Sequence, residues 1–283
     1  MYTETIDIRH LTYSYGKGRR AVYDDFNLTF AESGIYGLLG KNGTGKSTLL
    51  YLICGLLRPR KGEVLYNGVD TALRRVETLQ QLFIVPEEFS LPDVPLRTYV
   101  QTTAPFYPSF SEAVLKKALQ DFELDDSIHL KELSMGQKKK AFMSFALATN
   151  TRQLLMDEPT NGLDIPSKSQ FRKVLAANMD DGKLILISTH QVRDIDTLLD
   201  HVTIIDGSDI LLNSSVADIT RRLAFDEAPA GALPADTLFA QPSYRGSSIV
   251  RPNTDGGETP LNLELLFNAA LAERDRLKAL FND

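Results

Sequence analysis

Residues 40–47 read Gly-Lys-Asn-Gly-Thr-Gly-Lys-Ser and fill the pattern G-x-x-x-x-G-K-[ST] at every defined position. An apolar run from Ile35 to Leu39 precedes them and an apolar stretch from Leu49 to Leu57 follows. That is the strand–loop–helix setting in which such a loop cradles phosphate, so the pattern constrains the chain to an α/β core. Gly43 and Gly45 let the backbone approach phosphate oxygens and take dihedrals closed to other residues. The N–H groups from Gly40 through Lys41, Asn42 and Thr44, with the N-terminus of the following helix, form an anion cradle. Lys46 then reaches the terminal phosphates, the Ser47 hydroxyl faces Mg²⁺, and Thr48 continues the first helical turn. The loop predicts binding of a nucleoside triphosphate.

Bulk properties narrow the setting. At 283 residues the chain can hold one large α/β domain with an appendage, or two small domains. A net charge of −6 and a pI near 5.4 carry no electrostatic footprint for nucleic acid. Three short basic clusters, Arg58 to Lys61, Lys138 to Lys140 and Arg221-Arg222, each read as solvated helix or turn. The single cysteine, Cys54, sits in an apolar helical stretch as a small core residue and excludes an internal disulfide framework. The first ten residues alternate and carry charge, unlike a signal peptide. No stretch approaches the roughly 20 apolar residues that span a bilayer. The expectation is a soluble, cytoplasmic chain.

Along the chain, residues 4–12 and 22–30 read as a pair of strands joined by the turn Gly16-Lys17-Gly18. After the loop and its helix come a short strand at 63–66, closed by Asn67-Gly68, and a buried-type strand at 82–85 that stops at Pro86. Residues 92–150 are mainly helical, with prolines at 92, 95, 105 and 108 breaking the first half. Strand-type runs return at 154–156, 184–188 and 202–205 with helical segments between them, the alternation of a parallel α/β sheet. Composition shifts after Leu223. Residues 226–260 are rich in Pro, Gly, Ala and Ser, with weak strand candidates at 237–240 and 247–250. Thr259-Pro260 offers a helix start, and Leu263, Leu266, Phe267, Ala270, Leu277 and Phe281 fall near one face of a final helix.

A phosphate loop needs a carboxylate for Mg²⁺ and a group to orient the attacking water. The apolar strand Leu154-Leu155-Met156 ends in Asp157, suited to hold Mg²⁺ through its water shell, and Glu158, suited to accept a proton from water. Ahead of it, Leu133-Ser134-Met135-Gly136-Gln137 resembles the signature sequence of ATP-binding-cassette (ABC) ATPases. Other elements of that family follow in order. Tyr15, in Tyr-Gly ahead of the second strand, matches the aromatic that stacks on adenine, with Val22 beside it. Asn161-Gly162-Leu163-Asp164 looks like the D-loop, and Ser188-Thr189-His190 like the switch histidine. The resemblance runs from residue 4 to about 220.

The resemblance implies a phosphate-loop ABC fold: a mixed sheet core, an antiparallel β-subdomain and a helical signature subdomain at about 90–150. It places the nucleotide-binding domain at 1–223 and a small accessory region at 224–283. It implies ATP and Mg²⁺ as ligands and a head-to-tail pair of subunits. Ser134, Met135, Gly136 and Gln137 of one subunit would then face the ATP held by the other. A helix from Gln137 to Ala148 would aim its positive end at that γ-phosphate. His190 would touch the γ-phosphate of its own subunit, and Asp164 would couple the two sites. One departure stands out: the family usually has Gln where this chain has Glu87. A carboxylate there can still ligate Mg²⁺, but it adds negative charge.

The leading expectation is therefore the ATPase subunit of a transporter whose permease is a separate chain. Gly34 to Gly40, the single cassette and the small extension look most like export subunits. Such a chain would sit peripherally on the inner face of the cell membrane, held by the permease. The alternative is an ABC ATPase that drives a non-transport machine of division or cluster-assembly type.

Overall fold

The structure, a computed structural model, describes residues 5–281 apart from 17, 230, 245, 255 and 258. Glu4 and Lys17, at the start of the first expected strand and in its turn, lie outside the described residues.

The chain opens on β1 (Ile6–Tyr13) and β2 (Tyr23–Phe30), which pair antiparallel with Ile6 opposite Phe30. β3 (Gly34–Leu39) is buried at every position, as a strand covered on both faces must be. α1 (Lys46–Ile53) follows the glycine loop. β4 (Lys61–Tyr66) and β5 (Val69–Asp70) turn about Asn67 and Gly68, both at positive φ, the hairpin chemistry that dipeptide demands. α2 (Val76–Leu79) leads into β6 (Leu82–Val85). Three helices come next: α3 (Leu96–Thr103), α4 (Glu112–Asp121) and α5 (Met135–Ala148). β7 (Gln153–Asp157), α6 (Ile165–Ala176) and β8 (Leu184–Thr189) complete this stretch. Then follow β9 (His201–Asp206), β10 (Asp209–Ser215), α7 (Val216–Arg222) and β11 (Leu223–Pro229). β12 (Phe239–Ser243), β13 (Gly246–Pro252), α8 (Leu263–Ala272) and α9 (Arg274–Phe281) end the chain.

These elements fall into two compact units. The first comprises Met1–Ile35 and Gly45–Ser188. It holds an antiparallel sheet ordered β2-β1-β4-β5 and the parallel strands β6, β7 and β8, in which Val85 pairs with Met156 and Asp157 with Ser188. Its helical portion packs on β6 through aromatic rings, with Tyr107, Phe142 and Phe145 all against Phe83. Phe145 of α5 is fully buried, and its centroid lies 5.9 Å from Phe83, 4.9 Å from Tyr99, 6.5 Å from Tyr107 and 5.5 Å from Phe110. Those separations suit aromatic pairs. Leu96, Leu115, Leu119 and Leu130 extend this core among α3, α4 and α5.

The second unit comprises Tyr36–Thr44 and Thr189–Asp283. β3 runs parallel to β9, and β10 returns antiparallel to β9 after a turn at Gly207. A three-stranded antiparallel sheet, β11-β13-β12, carries α8 on one face.

Several details correct the sequence reading. β10 and β11 were not expected, because Asp209, Asn213, Asp226 and Glu227 interrupt their apolar runs; pairing to β9 and β13 supplies what local pattern did not. The final helix is two helices. The chain breaks at Glu273 (φ −119°, ψ 46°), which lets Arg274 pair with Asp206 and lie near Asp209 on the β9–β10 hairpin. α8 starts from Asn262, whose side chain accepts the Leu265 N–H at 3.0 Å, and not from Thr259-Pro260. Thr259 instead accepts the Phe225 N–H at 2.9 Å. Of the basic clusters read as solvated, Lys139 is buried, and Arg222 stacks over Phe281 and donates to the Leu280 carbonyl at 2.5 Å.

Phe145→Ala removes the ring shared by four aromatic neighbours. We expect it to cost about 3–5 kcal/mol in denaturant unfolding; a loss below about 1 kcal/mol would contradict this account of the helical portion.

Candidate active site

The glycine loop begins where β3 ends. A Cβ on Gly40 would stand 2.6 Å from the Thr44 hydroxyl and 2.8 Å from the Ile205 carbonyl oxygen, so only glycine fits. Thr44 closes the loop on itself: its N–H and its hydroxyl both donate to the Lys41 carbonyl, at 3.3 and 2.8 Å. Lys41, Asn42 and Gly43 form the exposed crest. Gly45 is the N-cap of α1 at φ 108°, and a Cβ there would meet Val22 Cγ1 at 2.8 Å and the Tyr23 hydroxyl at 2.7 Å. No side chain caps α1, so its first N–H groups are offered to whatever lies in front of the loop. Burial pushes the Tyr23 hydroxyl pKa up, and that oxygen has no hydrogen-bond partner among the described residues.

Lys46 is the first residue of α1 and is buried. Desolvation lowers its pKa, and the carboxylates of Glu158, Asp157 and Glu87 oppose that shift. The net effect of burial and these carboxylates is a lowered pKa. Ser47 is half-buried beside it. Next in the same turn, Thr48 is buried and its hydroxyl lies 2.8 Å from the Tyr15 hydroxyl. Tyr15 is exposed and packs edge-on to Tyr13, with centroids 5.2 Å apart.

The two acids at the tip of β7 are held by β8. Ser188 Oγ donates to Asp157 Oδ1, and the Ser188 carbonyl accepts the Glu158 N–H at 2.9 Å. Glu158 sits at φ 45°, a left-handed conformation that costs a non-glycine residue on the order of 1–3 kcal/mol. Lys139 of α5 offsets that cost. Its Nζ donates to the Glu158 carbonyl at 3.3 Å and to the Asn161 carbonyl at 2.7 Å. Desolvation lowers the Lys139 pKa, opposed by Glu87, Glu158 and Asp157. Asn161 in turn donates its side-chain N–H to Glu87 Oε1 at 2.8 Å, so Glu87 is tied to the loop that follows Glu158.

The signature residues gather elsewhere in the same unit. Ser134 is the N-cap of α5, which begins at Met135 and not at Gln137. Ser134 Oγ accepts the Gln137 N–H at 3.3 Å, and Gln137 Oε1 accepts the Ser134 N–H at 3.0 Å, a complete capping box. Met135 is exposed. Ser134, Gly136 and Gln137 share a cavity of about 430 Å³ with Gly162, Leu163 and Asp164. A Cβ on Gly136 would meet Leu163 at 3.9 Å and the Gly162 oxygen at 4.0 Å, so nothing among the described residues requires glycine there. Asp164 caps α6, and hydrogen bonds from Ser167 hold its carboxyl below the usual range. His190 follows β8 and is exposed.

Lys139 and Ser188 are the residues sequence reasoning passed over as working parts. Lys139 has a legible signal: Met143 and Ala146 follow it at helical spacing and are buried, so the period puts Lys139 on an inward face. The donor set at the loop fits a hard cation, since the Ser47 hydroxyl and the Asp157 and Glu87 carboxylates are all oxygen ligands. The uncapped helix end, with the glycines that keep it open, fits phosphate.

The comparisons with known proteins agree with this geometry. Residues 23–161 match the family described as ABC transporter. The chain is 34% identical over 230 residues to the methionine import ATP-binding protein MetN of Carboxydothermus hydrogenoformans, covering 76% of this chain and 67% of that one. It is 27% identical over 213 residues to the Nod factor export ATP-binding protein I of Rhizobium etli, covering 73% of this chain and 67% of that one. A solved structure of an ATP-binding subunit of an ABC transporter superposes with a TM-score of 0.67 at 26% identity, over 76% of this chain and 92% of the other. Two-thirds coverage of a relative at this identity carries the family as well as the fold: the chain belongs to the ATP-binding proteins of the ABC transporter family.

Proposed function

We propose that this chain hydrolyses ATP as the energising subunit of an exporter whose permease is a separate protein. The observation that carries the ATPase reading is the constellation around Lys46: one buried ammonium facing Glu158, Asp157 and Glu87, with Glu158 held in a costly conformation by Ser188 and Lys139. Strain kept at a single acid beside a phosphate-type loop is what a catalytic carboxylate needs. Membership of the family supports the same reading.

In this proposal the loop N–H groups and Lys46 hold the terminal phosphates. Tyr15 stacks on the adenine, with Val22 at the loop's flank. Glu158 orients water and accepts its proton. Mg²⁺, when bound, supplies charge neutralisation at the phosphate oxygens. Ser47, Asp157 and Glu87 are the oxygen donors toward it, directly or through its water. His190 recognises the γ-phosphate. Ser134, Met135, Gly136 and Gln137 act on the ATP of a second copy, and Asp164 links the two sites. Residues 1–223 form the nucleotide-binding domain and 224–283 the accessory region. The open space at Gly136 and the shared cavity with Asp164 support an intermolecular role, because neither is filled by the described residues.

No helix among the described residues is long and apolar enough to cross a membrane, which suits a subunit that reaches the bilayer through a partner. Export is the direction the proposal takes from overall resemblance; the relatives named above work in both directions. Isolation from detergent together with a polytopic membrane protein, followed by cargo flux measured in vesicles, tests partner and direction together. A single-span partner would favour a division-type machine, and inward cargo flux would reverse the direction.

Glu158→Gln should bind ATP, form a stable dimer in sedimentation, and lose turnover by about 10²-fold or more. Normal hydrolysis in that variant would remove Glu158 from its role. Lys46→Ala should weaken nucleotide binding by roughly 10–100-fold, the loss of a charge-assisted hydrogen bond, and retained affinity would count against the loop assignment. Glu87→Ala should raise the Mg²⁺ concentration needed for half-maximal turnover; an unchanged Mg²⁺ dependence and rate would make Glu87 a bystander.

A further inference from the structure

Two residues at the start of β2 press on the residue that opens α1. Val22 donates its N–H to the Tyr13 carbonyl at 2.8 Å, and Tyr23 stands opposite Tyr13 in the β1–β2 ladder, so this end of the hairpin is fixed in register. The Tyr23 side chain is fully buried and packs on the Phe26 ring, with centroids 4.7 Å apart. Its far end reaches Gly45. A Cβ at residue 45 would lie 2.7 Å from the Tyr23 hydroxyl oxygen, 2.9 Å from its Cζ and 2.8 Å from Val22 Cγ1. The tyrosine thus occupies the place that a side chain at residue 45 would take. Gly45 sits at φ 108°, and its carbonyl accepts the Leu49 N–H at 2.8 Å, the first rung of α1. Glycine swings freely about φ. With nothing packed on that side, its peptide and the N–H groups after it would lack a fixed direction.

The hydroxyl at this contact is unfavourable for the fold. It is shut off from solvent and has no hydrogen-bond partner among the described residues. An unpaired buried hydroxyl destabilises a protein, whereas a phenylalanine of the same shape carries no such penalty. Burial raises the Tyr23 pKa, so the group stays a neutral O–H beside the loop. A polar atom kept where an apolar one would pack as well calls for a reason outside the core, and here it lies against the N-cap of the phosphate-loop helix.

We propose that Tyr23 is a positioning residue for nucleotide binding: its hydroxyl end wedges Gly45 so that the Lys46 and Ser47 N–H groups point at the phosphates. This rests on the reading of residues 40–47 as a phosphate loop. Tyr23 touches no nucleotide and acts through Gly45. Donors aligned in advance raise affinity, because binding then orders fewer groups. The donors concerned serve phosphates that ADP and ATP share. Glu158 and Asp157 stand on another element, so the chemical step keeps its groups.

The test measures Kd for Mg·ATP and Mg·ADP, turnover, and urea unfolding without nucleotide. It uses the full chain as wild type, Tyr23→Phe and Tyr23→Leu. Tyr23→Phe removes one oxygen. Kd for both nucleotides should rise about fivefold, less than the tenfold that 1.4 kcal/mol represents, with kcat at saturation within about twofold. The same variant should unfold at a urea concentration no lower than wild type, because it loses an unpaired group. Tyr23→Leu also takes away the ring end. It should raise both Kd values about tenfold or more and unfold at lower urea. A residue that only filled the core would show the reverse in Tyr23→Phe, weaker folding with unchanged affinity. Unchanged Kd values in Tyr23→Phe, or a lower urea midpoint for it, would each overturn the proposal, whether or not Tyr23→Leu folds. A wild-type chain that binds neither nucleotide would sink the phosphate-loop reading and this role with it. Wild-type binding that Tyr23→Phe leaves intact would sink this role alone.

Discussion

The pairing of Asp157 with Ser188 across β7 and β8 is the contact on which the site depends. Through it one serine fixes two consecutive acids, the first by its hydroxyl and the second by its carbonyl. Both acids are nearly excluded from solvent, Asp157 at 1% and Glu158 at 5% exposure. Burying adjacent carboxylates is costly unless cations lie close by. Lys46 from α1 and Lys139 from α5 are the basic groups beside them, and the acids oppose the desolvation that lowers the pKa of each amine. The first unit therefore brings the start of α1, the end of β7 and α5 to one point, and the charges make them interdependent.

Glu87 tips that balance. Three carboxyl groups, those of Asp157, Glu158 and Glu87, act on the two amines of Lys46 and Lys139. In the proposed reading, a carboxyl at position 87 makes an anionic nucleotide tail lean harder on a divalent cation than a neutral amide there would. The bond from Asn161 Nδ2 to Glu87 Oε1 also ties position 87 to the segment leading into Asp164.

Much of this was legible from residue order. The glycine loop and the Asp157-Glu158 strand end are local patterns, set by backbone conformation within a few residues, whereas the helix placed at Gln137 begins two residues earlier, on the Ser134 cap. The strands at 82–85, 154–156 and 184–188 announced themselves because strands buried on both faces are apolar throughout. What escaped was set by distant contacts. Lys139 looks solvated in Lys138-Lys139-Lys140 unless its helical spacing to Met143 and Ala146 is read, and the carbonyls of Glu158 and Asn161 hold its amine inside. β11 looks like loop because Asp226 and Glu227 face Arg251 and the hydroxyls of Ser243 and Ser248, partners far along the chain. The break at Glu273 answers to Asp206, which no helical periodicity records.

The central claim is that the chain holds half of a site, with the loop of one copy and the signature of another enclosing one ATP. A structure of the Glu158→Gln chain with ATP and Mg²⁺ tests it most directly. The account predicts two chains head to tail, with each γ-phosphate between Lys46 of one copy and Ser134 of the other. Nucleotide bound at Lys46 of a single chain, with Ser134 and Gly136 left facing solvent at saturating ATP, would contradict it.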